Sequence, residues 1–133
     1  MKRVDENLLE FQDDALTYMG QPFTGISVLQ YSSGKPKKEL NYRDGFPERL
    51  CREWYENGQL RSQWVASKGE APAKITEWFD NGAIKSNKIS EHGVELEYKE
   101  WDLSGAIVHS RKLEKGSAMH NFLERMRNIK NKS

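Results

Sequence analysis

Glycine recurs along this 133-residue chain in two interleaved series, Gly34, Gly58, Gly82, Gly105 and Gly45, Gly69, Gly93, Gly116, and within each series successive members stand 24, 24 and 23 residues apart. A fixed period of this size marks tandem copies of one short supersecondary unit. No copy buries its apolar side alone, so neighbours have to stack. The copies agree in more than glycine. Four residues before each leading glycine stand Gln30, Trp54, Trp78 and Trp101, and three before it stand Tyr31, Tyr55, Phe79 and Asp102. Directly before it come Ser33, Asn57, Asn81 and Ser104, and two residues after it come Pro36, Leu60, Ile84 and Ile107. Each copy reads as a strand, a tight turn and a second strand, closed by another turn at the second glycine.

Asn57-Gly58 and Asn81-Gly82 are the dipeptides favoured in two-residue hairpin loops, where both central residues take positive φ. Around Trp54 and Tyr55 the apolar residues do not recur at helical spacing, and a glycine every 11 to 13 residues would interrupt any helix. The expected fold is mainly β, an antiparallel meander of tandem hairpins. A two-residue loop sets Tyr55 opposite Leu60, Phe79 opposite Ile84, Trp54 opposite Arg61 and Trp78 opposite Lys85. Neighbouring strand residues point to opposite sides. That register buries the Tyr/Phe row and leaves Trp54, Trp78 and Trp101 on an accessible side among Arg52, Glu56 and Lys99. Trp and Arg dominate protein-binding hot spots, so Trp54, Trp78, Trp101, Arg61 and Lys85 are the candidate partner-binding residues. The competing reading is a structural ladder of Trp stacked with Arg and Lys stems, or lying under the C-terminal helix. A three-residue loop with a bulged glycine would shift the register and with it the face assignment.

The two ends of the chain depart from the period. Residues 8–11 and 15–18 are short apolar-bearing stretches separated by Asp13-Asp14, which reads as a leading hairpin capping the open edge of the sheet. A short helix over residues 5–11 is the alternative. After Gly116, Met119, Phe122, Leu123, Met126 and Ile129 fall on one helical face, with Ser117 as N-cap and Arg125, Arg127, Lys130 and Lys132 gathered near the end, where cations complement the helix dipole. The expected organisation is one domain, with a capping segment over 1–25, four hairpin repeats over 26–116 and a C-terminal amphipathic helix over 117–130.

Composition narrows the function. Charged residues make up 31% and the hydrophobic set only 36%, which suits a thin repeat sheet better than a globule with a deep pocket. The net charge of +1 gives no field toward nucleic acid or an anionic membrane. Residues 1–7 turn acidic where a secretory signal turns apolar, and no run approaches ~20 apolar residues, so a cytoplasmic chain is expected. His92, His109 and His120 have no second His or Cys at ligand spacing, and Cys51 is the only cysteine, so neither a disulfide nor a metal site is expected. No phosphate loop, nucleophile elbow or dinucleotide fingerprint is present. Glu53, Glu77 and Glu100 recur at one repeat position, which repetition alone explains. A non-enzymatic chain without cofactors is the expectation.

The segments Glu53-Trp54-Tyr55-Glu56-Asn57-Gly58-Gln59-Leu60-Arg61-Ser62 and Glu77-Trp78-Phe79-Asp80-Asn81-Gly82-Ala83-Ile84-Lys85-Ser86 resemble the variant MORN repeat of bacterial proteins. The lead-in Gln21-Pro22-Phe23-Thr24-Gly25 resembles the opening of the YwqK-type antitoxin family. The resemblance covers residues 20–116. Its first copy, at Gln30-Tyr31-Ser32-Ser33-Gly34, and its fourth, at Trp101-Asp102-Leu103-Ser104-Gly105, are degenerate. It implies a protein that neutralises a cognate bacterial toxin by binding it, an immunity protein or antitoxin. A non-enzymatic structural or scaffolding MORN-repeat module, at a membrane surface or away from one, is the second reading.

Overall fold

The computed structural model of the chain describes residues 2–67 and 70–131, the side chains of residues 130 and 131 excepted. The closing turn expected at Gly69 lies outside the described residues. In chain order the strands are β1 (Arg3–Asp5), β2 (Leu9–Gln12), β3 (Ala15–Tyr18), β4 (Gln21–Pro22), β5 (Gly25–Gln30), β6 (Pro36–Arg43), β7 (Phe46–Trp54), β8 (Leu60–Ala66), β9 (Lys74–Trp78), β10 (Ile84–Glu91), β11 (Val94–Trp101) and β12 (Ile107–Lys112). A 3-10 turn spans Glu6–Leu8, and the chain ends in the helix α1 (Ala118–Asn131). From β5 to β12 every strand pairs antiparallel with the next. The expected meander of hairpins is the body of the molecule.

The leading glycines do not sit in two-residue loops. Trp54 pairs with Leu60, the Tyr55 N–H donates to the Gln59 carbonyl at 2.9 Å, and the Gly58 N–H donates to the Tyr55 carbonyl at 3.0 Å. Those bonds describe a three-residue loop, a type I turn followed by Gly58 at φ +92°. Asn57 has no positive φ; its Oδ1 accepts the Gln59 N–H at 2.9 Å. Asn81, whose Oδ1 accepts the Ala83 N–H at 2.9 Å, repeats the arrangement before Gly82. An asparagine that bonds the backbone two residues ahead stabilises this turn as readily as the one expected. Two-residue loops with positive φ at both positions occur at Asp13-Asp14, Met19-Gly20, Asp44-Gly45 and His92-Gly93.

A bulge follows each leading turn. Trp54 pairs with Leu60 but Glu53 pairs with Ser62, so Arg61 has no residue opposite. The same slip leaves Lys37, Lys85 and Val108 unopposed in the other copies. Extra residues of this kind turn a side chain out of the regular alternation.

The core lies at the N-terminal end. Val4, Leu16, Phe23 and Tyr42 are buried together, with Leu9, Tyr18 and Leu40 packed against them. Residues 5–11 form no helix beyond the 3-10 turn; β2 and β3 make the expected hairpin, and β4 completes a separate three-stranded sheet. That hairpin does not cap the edge of the large sheet. The edge is covered by β1, which runs parallel to β5 with Val4 beside Ser27. The hairpin is instead strapped to the turn between β6 and β7 by the Leu16 N–H, which donates to the Gly45 carbonyl at 2.8 Å.

At the other end α1 starts where expected, the Ser117 Oγ accepting the His120 N–H at 3.2 Å as an N-cap. It is anchored by the buried Leu123 and by Arg127, whose Nε and Nη2 donate to the two Glu91 carboxylate oxygens at 2.5 and 2.9 Å. Its apolar stripe is only partly used, since Met119, Phe122 and Ile129 are exposed.

Candidate protein-binding faces

A single-layer sheet presents two sides, and strand alternation puts Trp54 with Arg52 on one and Tyr55 with Glu53 on the other. The expected burial of the Tyr/Phe row does not occur. Trp54, Trp78 and Trp101 on one side and Tyr55 and Phe79 on the other are all half-buried. Nor does Arg61 face Trp54, or Lys85 face Trp78. Trp54 is opposite Leu60 and Trp78 opposite Ile84, because the loop holds one residue more than the two assumed. The bulge places the Arg61 guanidinium 5.5 Å from the Tyr55 ring centre and the Lys85 ammonium 5.8 Å from that of Phe79. Each cation covers the negative face of a ring, an interaction of about 0.5–1 kcal/mol at exposed sites. The five candidate residues therefore divide, with three tryptophans on one side and two cations on the other.

On the Trp side, Trp78 lines an open cleft of about 380 Å³ together with Gln63, Thr76, Ile84 and Asn87. The Thr76 hydroxyl donates to the Asn87 Oδ1 at 3.2 Å across its floor. Lys99, on the same side as Trp101, pairs with Glu97 at 3.4 Å. Arg52 brings a buried Nε that has no hydrogen-bond partner among the described residues. The helix is tied down at Glu91, the end of β10 away from Ile84, so its described anchor is remote from the turn that carries Trp78.

The Tyr side is stitched from repeat to repeat. The Tyr31 hydroxyl donates to the Trp54 carbonyl and the Tyr55 hydroxyl to the Trp78 carbonyl, each at 2.7 Å, and the Asn57 amide donates to the Asp80 carbonyl at 2.8 Å. Phe79 has no hydroxyl to continue the series toward Trp101. Further along this side the Tyr98 hydroxyl donates to Glu100 at 2.7 Å, which raises the Tyr98 pKa, and the Arg111 guanidinium lies 4.4 Å over the Tyr98 ring. Glu53, Glu77 and Glu100 recur beside the buried Ser62 and Ser86 as cross-strand partners. Cys51 is buried in β7, and burial pushes its thiol pKa up.

Two features escaped the sequence reading. Lys37 stacks 5.5 Å from the Tyr31 ring as a third cation–aromatic pair; it stands three residues after Gly34, as Arg61 does after Gly58 and Lys85 after Gly82, so the period itself held that signal. The other is β12, all six residues of which are exposed. Among the described residues no three His, Cys, Asp or Glu side chains are grouped to hold a metal ion, and no helix is long and apolar enough to cross a membrane.

Residues 23–44 and 50–65 match the family described as MORN repeat variant. Those two stretches lie in the first two copies of the glycine period, and the chain carries MORN-type repeats. No curated protein matches it. Among solved structures it is similar to a chain in "Crystal structure of GtfA/B complex bound to UDP and GlcNAc", at 17% identity and a TM-score of 0.39. The likeness covers 84% of this chain but 28% of that one.

Proposed function

We propose that this MORN-repeat chain is a non-enzymatic immunity protein or antitoxin that binds a cognate bacterial toxin by protein contact and neutralises it. The observation that carries the reading is the pair of half-exposed aromatic rows, Trp54, Trp78 and Trp101 on one side of a single-layer sheet and Tyr31, Tyr55 and Phe79 with their stacked cations on the other. Rigid aromatic and Arg side chains at fixed spacing on an open surface are the composition of binding hot spots. The resemblance of residues 20–116 to antitoxin-type repeats supplies the partner class.

The test is a tagged pull-down from the native cells, with mass spectrometry of what survives a moderate salt wash. A stoichiometric partner that is toxic when expressed alone supports the reading; recovery of no protein partner overturns it. Trp78→Ala and Arg61→Ala, made separately, then report which side of the sheet is used. One observation favours the second reading, a scaffold at a membrane surface: Met119, Phe122 and Ile129 are exposed on α1 near Arg125. Co-sedimentation with anionic vesicles, abolished by Phe122→Ser, would move the assignment there.

A further inference from the structure

Three times the large sheet joins the second strand of one repeat to the first strand of the next, and each join sets a glutamate at the same place. Lys38 pairs with Glu53, Ser62 with Glu77 and Ser86 with Glu100. The residue after each of these, Glu39, Gln63 or Asn87, pairs with Arg52, Thr76 or Lys99. The fourth repeat ends in β12, whose His109 faces Glu100 as Ser86 faces Glu77. His109 is thus the fourth member of the series Lys38, Ser62, Ser86, and the strand that would bring its outer glutamate is missing from the sheet.

The edge it would occupy is open. The Leu113 N–H donates to the Leu96 carbonyl at 2.9 Å, so by alternation the backbone groups of Arg111 and His109 point into the sheet while those of Lys112 and Ser110 point outward. Among the described residues β12 pairs with β11 alone. The strand carries His109, Arg111 and Lys112 and no carboxylate; Arg111 is matched by Glu95 at 3.2 Å, whereas Lys112 forms no ion pair among the described residues. Beyond its end an open cleft of about 660 Å³ lies between β12 and the start of α1, lined by Ser110, Lys112, Leu113, the exposed Met119 and two carboxylates, Glu114 and the Arg111-paired Glu95.

We propose that the β12 edge is a strand-addition site for an extended acidic segment of a partner protein, which pairs antiparallel as a tenth strand with a glutamate opposite His109 and its far end beside Met119. Main-chain hydrogen bonds give such a site its affinity and the side chains its selectivity. A second copy of this chain is a poor source of that strand: the glutamate-bearing strands of its large sheet lie inside that sheet, its β12 is equally basic, and β2, at the edge of the small sheet, is four residues long with Glu10 as its one carboxylate. The proposal rests on the protein-binding reading above and names the chemistry of the partner.

The probe is a peptide with the sequence of residues 94–101, Val-Glu-Leu-Glu-Tyr-Lys-Glu-Trp, titrated into the isotopically labelled full chain and followed by NMR. The expected result is a saturable shift confined to β12 and to residues 113–119. Weakening by about tenfold or more is expected when the peptide carries Glu100→Lys. In the protein, Ser110→Pro removes an outward N–H without breaking a bond to β11 and abolishes the shifts; Lys112→Glu weakens them and leaves the backbone untouched. No saturable shift up to about 1 mM peptide overturns the proposal. So does unchanged binding by both protein variants, or a wild-type chain that runs as a dimer of the 15.5 kDa protomer and becomes monomeric with Ser110→Pro. If Ser110→Pro captures the toxin as well as the wild type does, the edge site falls and the immunity reading stands; peptide binding without any toxin capture separates the two in the other direction.

Discussion

At the N-terminal end of the sheet the chain covers the edge of β5 itself: β1 lies parallel on it, and Val4 of β1 closes a core with Leu16, Phe23 and Tyr42. At the C-terminal end β12 pairs on one side alone among the described residues and is exposed throughout, as are Leu103 in the preceding turn and Met119, Phe122 and Ile129 on α1. A tandem sheet has two ends made of nearly the same repeat, so the repeat does not dictate this asymmetry. What differs is the sequence outside the period. The segment before Gly25 turns Val4, Leu16 and Phe23 into a core while Leu8, Phe11 and Met19 stay exposed, whereas the segment after Gly116 contributes a helix anchored through Leu123 and the Arg127–Glu91 pair. One end closes on a buried core and the other finishes in an exposed strand.

The sharpest way to break that comparison is to remove apolar volume at each end. Phe23 is 2% exposed and packs edge-on against Tyr18 with ring centres 6.3 Å apart, so Phe23→Ala should cost about 3–5 kcal/mol in urea unfolding. Ile107 is 56% exposed, and Ile107→Ala should stay within about 0.5 kcal/mol. Equal losses at the two sites would mean that the C-terminal end is as tightly packed as the other.

Glycine substitutions make the same contrast in the backbone. A Cβ on Gly25, whose φ is +150°, would stand 2.5 Å from the Lys2 carbonyl oxygen, the acceptor of the Ile26 N–H that helps hold the start of the chain to β5. Gly25→Ala should therefore cost about 3 kcal/mol and loosen β1. Gly105 has φ +89° with nothing within 4 Å of the added carbon, so Gly105→Ala should cost only the backbone strain, about 1 kcal/mol. Thermal melts of the two variants give the order directly, and a reversed order would remove β1 as the closure of that end.

Between the ends the stitching of repeat to repeat fades toward β12. Tyr55→Phe deletes the hydroxyl that donates to the Trp78 carbonyl and should cost about 1 kcal/mol. Phe79→Tyr would restore the missing member of the series and should be neutral or stabilising by up to about 1 kcal/mol, read from chemical denaturation. If Tyr55→Phe is silent, the bonds follow the packing of the repeats and do not reinforce it.

The repeat and its meander were legible because a glycine that takes positive φ recurs at one position in four copies, at Gly34, Gly58, Gly82 and Gly105. The register was not legible. Asn-Gly serves a two-residue loop with both residues at positive φ and equally a three-residue loop with only the glycine there; a single residue separates the two. That residue moves Arg61 and Lys85 from the Trp side onto Tyr55 and Phe79. The closure by β1 was hidden for another reason. Three residues, Arg3–Asp5, carry no period, and their parallel pairing with β5 depends on where the second sheet settles. The candidate tryptophans were found from the repeat alone; the bare edge could only be found once the order of the strands was known.

The smallest expected effect tests whether the last turn is as well built as its earlier copies. In place of the aromatic of earlier repeats stands Asp102, whose Oδ1 accepts from the Ser104 hydroxyl at 2.6 Å, the Ser104 N–H at 2.9 Å and the Ala106 N–H at 3.1 Å. These bonds, that from the Ser104 hydroxyl first, favour the charged form and hold the carboxyl below its ordinary value of 3.8. A depressed folded pKa contributes stability that is fully present above the unfolded value and is lost as the pH falls through the folded one, so the fourth turn should loosen only in acid below that range. Ser104→Ala should bring the Asp102 midpoint back up toward 3.8 in an NMR titration, lower stability slightly at neutral pH and leave it unchanged in acid, where the carboxyl is protonated in both proteins. A wild-type midpoint at or above 3.8 would mean that the turn beside β12 is not held by its aspartate, and that the open end of the sheet is loose in its hairpin as well as bare along its edge.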